Sequence, residues 1–166
     1  MEAKLKLPRA AIITASNRAS LGIYEDKSGD ILAKGLEELG FTIASKIVVP
    51  DSAGLISAEI TKAIAGKIDL IVTTGGTGIS PTDITPEATG PLIQKTLPGI
   101  SEALRAFSRD KVPTADLSRG LAGTADQSLI INLPGSPGGV RDGLVVIGRL
   151  ALHAISQLSG GDHEQP

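Results

Sequence analysis

The sequence predicts an α/β fold, a three-layer sandwich about a mostly parallel central sheet. Two observations carry that expectation. Short aliphatic and β-branched runs alternate along the chain with segments whose apolar residues recur at helical spacing. The short runs are continuous rather than alternating, the pattern of parallel strands covered on both faces. The chain has 166 residues, 41% of them apolar, which suits one core. A domain of this size buries about 70% of the surface its extended chain would expose.

The elements follow in order. Ala10–Thr14 reads as a buried strand. A loop runs from Ser16 to Lys27, and Ser28 opens a helix with Ile31, Leu32, Leu36 and Leu39 on one face, stopped at Gly40. Thr42–Val49 is a β-branched strand. Pro50-Asp51-Ser52 turns into a helix with Ile56, Ile60, Ala63 and Ile64 on one stripe, and Asp69–Thr73 is a third strand. After a glycine-rich loop, Thr85 serves as N-cap with Pro86 at the first helical position. Leu97-Pro98-Gly99 marks a break before a helix carrying Ile100, Leu104 and Phe107. Residues 113–124 are assigned no element. Ser128–Leu133 is the last strand. Ser136-Pro137 opens a long helix with Val140, Leu144, Ile147, Ala151, Ala154 and Leu158 on one face. Residues 1–8 form an N-terminal extension, 9–159 the domain, and 160–166 a flexible tail.

Composition excludes several function classes. Net charge is −2 with both signs interspersed, so no basic stripe meets nucleic acid or an anionic membrane. Two Phe, one Tyr and no Trp cannot build the repeated stacking platforms of single-strand binders. The absence of cysteine excludes disulfides, thiolate zinc sites, iron–sulfur clusters and a cysteine nucleophile. Residues 1–8 carry Glu2, Lys4 and Lys6 but no apolar core, unlike a secretory signal. No uncharged run approaches the ~20 residues of a membrane span. A cytoplasmic protein is expected. His153 and His163 have no partner at metal-ligand spacing.

Ligands of open α/β sheets bind at the carboxyl ends of the strands. Three segments leave such ends with unusual residues. In Thr73-Thr74-Gly75-Gly76-Thr77-Gly78, the glycines allow close backbone approach to a ligand, and the threonines add hydroxyls. No Gly-Lys-Ser/Thr follows, and Pro81 stands where a dinucleotide fingerprint needs its third glycine. A glycine cluster alone suits a tight turn. Asp83 and Thr85, crowded before a helix N-terminus, make an anion site the better reading. Asn132-Leu133-Pro134-Gly135-Ser136-Pro137 ends a strand and caps a helix, giving a second anion-binding loop. Asp51 follows the second strand. It could cap the next helix, or pair with Asp83 around Mg²⁺, which takes one or two carboxylates plus substrate phosphates. Asp26 and Ser28 could cap the first helix or line the cleft. Ser118-Arg119-Gly120 suits either a hairpin end or a site.

These pieces resemble the molybdopterin-binding family of bacterial Mog and MoaB proteins and the gephyrin G domain. The matching segments are Ser16–Ser20, Asp26–Gly29, Val49–Asp51, Thr73–Gly78, Asp83–Thr89, Pro98-Gly99 with Glu102, Leu117–Arg119 and Asn132–Pro137. They stand in family order along about nine tenths of the chain. The resemblance implies a MoaB/Mog-like fold, a homotrimer, and Mg²⁺-ATP-dependent adenylylation of molybdopterin with release of pyrophosphate. It gives Asp51 and Asp83 catalytic and metal-holding roles. It gives Thr74, Gly75, Gly76, Thr77, Gly78, Thr85, Glu102, Ser118, Asn132, Pro134, Gly135 and Ser136 contacts to molybdopterin or ATP. A downstream molybdenum-insertion protein is the implied partner. One position departs: many relatives carry Arg or Lys before the aspartate, where this chain has Thr82. The same glycine loops would also serve a non-catalytic molybdopterin carrier or partner-docking protein.

Overall fold

In chain order the computed structural model, which describes residues 6–161, contains β1 (Arg9–Ala15), α1 (Asn17–Ser20), α2 (Lys27–Glu38), β2 (Thr42–Val49), α3 (Ala53–Ala65) and β3 (Leu70–Thr74). Then come α4 (Thr85–Thr89), β4 (Lys95–Thr96), α5 (Pro98–Arg109), β5 (Ala122–Ala125), β6 (Ser128–Leu133) and α6 (Pro137–Leu158), with 3₁₀ turns at Gly90–Leu92 and Pro113–Leu117. Expectations for residues 1–5 and 162–166, His163 included, lie outside the described residues.

One six-stranded sheet has the order β2-β1-β3-β6-β5-β4. The first four strands pair in parallel and the last two antiparallel. The two antiparallel strands have no sequence signal. Ala-Gly-Thr-Ala lacks a β-branched run, and Lys95-Thr96 is too short to show a period.

Strand side chains alternate between two apolar layers. Ile12, Leu70, Val72, Leu129 and Ile131 pack with Leu32 and Leu36 of α2, Ile100 of α5 and Ile147 of α6. Ala11, Ile13, Ile71 and Ile130 pack on the other face with Ile56 and Ile60 of α3. Each fully buried Leu or Ile contributes roughly 1.5–3 kcal/mol, so an almost purely aliphatic core suffices. The strand β2 corrects one expectation. It is an edge strand, and Thr42, Ala44, Ser45 and Lys46 are exposed.

Several helix starts also differ from expectation. Of the two cap candidates for α2, Asp26 rather than Ser28 takes the role, its Oδ1 accepting from Gly29 N at 2.9 Å. Ser16 caps the short α1, which forms inside the expected loop. Ser52, not Asp51, caps α3. Thr85 is the first residue of α4 rather than its cap, because its hydroxyl is used elsewhere. Ser136 caps α6 as expected, accepting from Gly139 N at 3.0 Å.

From β1 the chain crosses to β2 on one side and returns to β3 on the other. The loops after β1 and β3 therefore diverge at their carboxyl ends, which opens a crevice there.

Candidate functional site

The glycine loop is built by two close contacts. Gly75 has φ +97° and Gly76 φ +64°, in the left-handed region that favours glycine. A Cβ on Gly75 would stand 2.3 Å from the Ala15 carbonyl oxygen, and one on Gly76 2.5 Å from Thr85 Oγ1. Thr85, fully buried, donates its hydroxyl to Gly75 O at 2.9 Å. Thr74 Oγ1 donates to Pro134 O at 2.7 Å, tying the two glycine-containing loops together. Beneath them lies Asn132, 1% exposed. Its Nδ2 donates to Thr73 Oγ1 at 2.9 Å and Thr89 Oγ1 at 3.1 Å, and its Oδ1 accepts from Leu121 N at 3.0 Å. All three bonds are internal, so Asn132 and Thr85 support the loops from below rather than face the clefts.

Two clefts open above this frame. The first, about 660 Å³, is lined by Thr74, Gly75, Asp26 and Asp51 among others. The second, about 550 Å³, is lined by Thr77, Gly78, Lys111, Ser118, Pro134 and Ser136 among others. They share Gly76, Asp83 and Gly135. Asp83 thus stands on the ridge between them.

The two aspartates anticipated as a pair do line one cleft. Asp51 Oδ2 accepts from Asn17 N at 3.1 Å, while Asp51 N donates to Asn17 Oδ1 at 2.8 Å. Asp83 Oδ2 accepts from Ser80 N at 3.0 Å. One oxygen of each carboxylate is thereby held, which orients the other. Among the described residues no group of three or more acids or histidines could hold a metal. Two carboxylates in a cleft instead fit Mg²⁺ shared with ligand phosphates.

Arg119 belongs to Ser118-Arg119-Gly120, a segment that in sequence suits either a hairpin end or a site. Its N donates to Thr77 O at 2.7 Å, its Nε to Gly78 O at 2.8 Å and its Nη2 to Asp83 O at 3.0 Å. Its guanidinium also pairs with Glu87. One side chain therefore grips both ends of the loop that carries Asp83. The hydrogen bond from Arg119 holds the Glu87 carboxyl below its ordinary range, and the Glu87 partner raises Arg119. In the sequence this role is signalled by Ser118-Arg119-Gly120 and by the family-like Leu117-Ser118-Arg119 segment.

Other cations flank the clefts. Lys27 is exposed and lines the first. Lys111 lines the second and bonds Asp142 Oδ1 at 2.7 Å, while Ser108 Oγ donates to Asp142 Oδ2 at 2.8 Å. Partial burial pushes the Asp142 carboxyl up, but the Lys111 and Ser108 hydrogen bonds outweigh it and hold it below its usual value. Nothing in the sequence pointed to Lys111. Thr82 is exposed, its Oγ1 3.3 Å from Ser80 Oγ. Glu102 is exposed on α5 and lines neither cleft.

Among the described residues no helix is long and apolar enough to cross a membrane. Residues 11–154 match the model of a family described as a probable molybdopterin binding domain. The chain is 46% identical over 142 residues to the molybdopterin adenylyltransferase of Helicobacter pylori strain 26695, covering 82% of this chain and 79% of that protein. It is 40% identical over 154 residues to a molybdenum cofactor biosynthesis bifunctional protein of Synechococcus elongatus, covering 93% of this chain but 48% of that protein. The chain therefore spans about half the length of this bifunctional relative. Its fold superposes on the molybdopterin biosynthesis Mog protein of Mycobacterium ulcerans with a TM-score of 0.86 at 49% identity, covering 91% of this chain and 99% of that one. With its sheet order, its paired glycine loops and these matches in agreement, the chain belongs to the molybdopterin-binding domain family.

Proposed function

We propose that this protein adenylylates molybdopterin in molybdenum cofactor biosynthesis, using Mg²⁺-ATP and releasing pyrophosphate. The observation that carries the reading is the pair of clefts meeting at Gly76, Asp83 and Gly135. Transfer between two bound substrates needs adjoining sites that present the reacting atoms to each other. The carboxylate-lined cleft suits a metal-bound triphosphate. The cleft with Lys111, Ser136 and the N-terminus of the 22-residue α6 suits the pterin and its terminal phosphate.

An oxygen of the molybdopterin phosphate attacks the α-phosphorus of ATP. The bond from that phosphorus to the bridging oxygen breaks, and the electron pair leaves with pyrophosphate. Bound Mg²⁺ supplies charge neutralisation, and Asp51 and Asp83 would hold it. Gly76 to Gly78, with Gly135 and Ser136, line the path with backbone groups and the Thr77 and Ser136 hydroxyls, Thr74 and Gly75 form its floor, and Ser118 and Pro134 wall the pterin side. Arg119 fixes the loop bearing Asp83. The relatives' names support this activity. We further assign the protein to the cytoplasm as a homotrimer. The bifunctional relative carries about as much chain again beyond the match, which supports a molybdenum-insertion protein as downstream partner.

One observation favours a second reading, a non-catalytic molybdopterin carrier. Thr82 supplies no charge, and Arg119, the cation gripping that loop, is already paired with Glu87. The experiment that separates the two combines purified protein, Mg²⁺, ATP and molybdopterin and measures pyrophosphate. Release is expected, with loss of release but retained molybdopterin binding in Asp83→Asn. A wild-type protein that binds the pterin and never adenylylates it would establish the carrier.

A further inference from the structure

The loop at residues 21–25 is not used by the chemistry described above, yet it borders the carboxylate cleft. Ile23 and Tyr24 line that cleft. Nevertheless Leu21 is 76%, Ile23 64% and Tyr24 54% exposed, so large apolar surface faces water beside a polar site. The loop is held at its base: Gly22 N donates to Ala19 O at 3.1 Å and Ile23 N to Arg18 O at 2.9 Å. Gly22 has φ +73° with nothing within 4 Å of a Cβ position, so conformation rather than crowding demands glycine there. Arg18 stands over the Tyr24 ring, 5.3 Å from its centroid, and its guanidinium also donates to Tyr24 OH. The ring is thus anchored on one side by a cation and by its hydroxyl, while much of it stays open.

We infer that Tyr24, braced by Arg18 and supported by Ile23, is the platform on which the purine ring of the nucleotide stacks. This rests on the adenylyltransferase reading, which puts the triphosphate against Asp51 and Asp83, residues that line the same cleft as Ile23 and Tyr24. A base extending from those phosphates along the cleft meets residues 23–24 as its apolar wall. Aromatic stacking against a base is favourable for any π-face, and the Arg18 cation adds to it. Tyr24 sets nucleotide affinity without taking part in phosphoryl transfer.

The chain has one tyrosine and no tryptophan, so ultraviolet emission reports Tyr24 alone. Saturable quenching by Mg²⁺-ATP is expected, and none by Mg²⁺-tripolyphosphate, which has the phosphates without the base. Tyr24→Ala should weaken ATP binding roughly 5- to 100-fold by calorimetry and leave tripolyphosphate affinity unchanged. Tyr24→Phe should bind ATP as the wild type does. Equal weakening of both ligands in Tyr24→Ala would mean a merely structural role and overturn the inference. So would ATP binding with unmoved emission, or quenching by molybdopterin in place of ATP. If ATP does not bind the wild type at all, the adenylyltransferase reading falls as well.

Discussion

At the scale of single residues, Arg119 shows how a surface arginine can govern a site it does not enter. Its bonds to Thr77 O, Gly78 O and Asp83 O come from one main-chain nitrogen and one planar fork. Lysine has no such fork and cannot satisfy the Gly78 and Asp83 carbonyls together with Glu87. Arg119→Ala should therefore lower kcat roughly 100-fold, the scale of an ångström-sized misplacement of a reacting group. Arg119→Lys should restore little of it. Steady-state kinetics would decide, and a substitution that raised only KM would show that Arg119 serves binding rather than the placement of Asp83.

At the scale of elements, the join between α5 and α6 forms one wall of the second cleft. Asp142 of α6 accepts from Ser108 of α5 and from Lys111 just beyond it. The carboxyl is held below its ordinary value in the folded protein. A depressed carboxylate contributes stability that is fully present above its unfolded value, about 3.9, and is lost as pH falls through the folded value. Acid unfolding should therefore steepen below about pH 4, and Asp142→Asn should flatten it over the same window. Denaturant midpoints measured across that range give the comparison, and parallel curves for the two proteins would remove the pair from the account of acid stability.

At the scale of the whole molecule, both clefts sit where four parallel strands end, so ligand binding is linked to folding of the entire sheet. Mg²⁺-ATP at a hundred times its Kd should raise the unfolding free energy by about 2.7 kcal/mol. For a chain of this size that is roughly a 5–10 °C rise in Tm. A chelator should abolish most of the shift if Asp51 and Asp83 hold nucleotide through the metal. Calorimetric scans with and without chelator test this, and a metal-independent shift would argue against the carboxylate pair.

The sequence by itself determined the strands β1, β3 and β6 and the helices that cover them, because continuous aliphatic runs and helical spacing are local signals. It also determined Ser136 as a cap and marked the two glycine loops as a candidate site, since Asp83 and Thr85 crowd one loop and a helix N-terminus follows each. Only the tertiary structure decided what the polar side chains do. Ser28 donates to Gly135 O, Thr85 to Gly75 O, and Asn132 bolts β6 to β3 and α4. Each lies near a helix end or beside a glycine loop in sequence, yet each is consumed by a partner outside its own element. Glu102 is exposed and lines neither cleft, whereas Lys111 lines one. Periodicity says which side of a helix is apolar, but only the packed sheet says what the polar remainder meets.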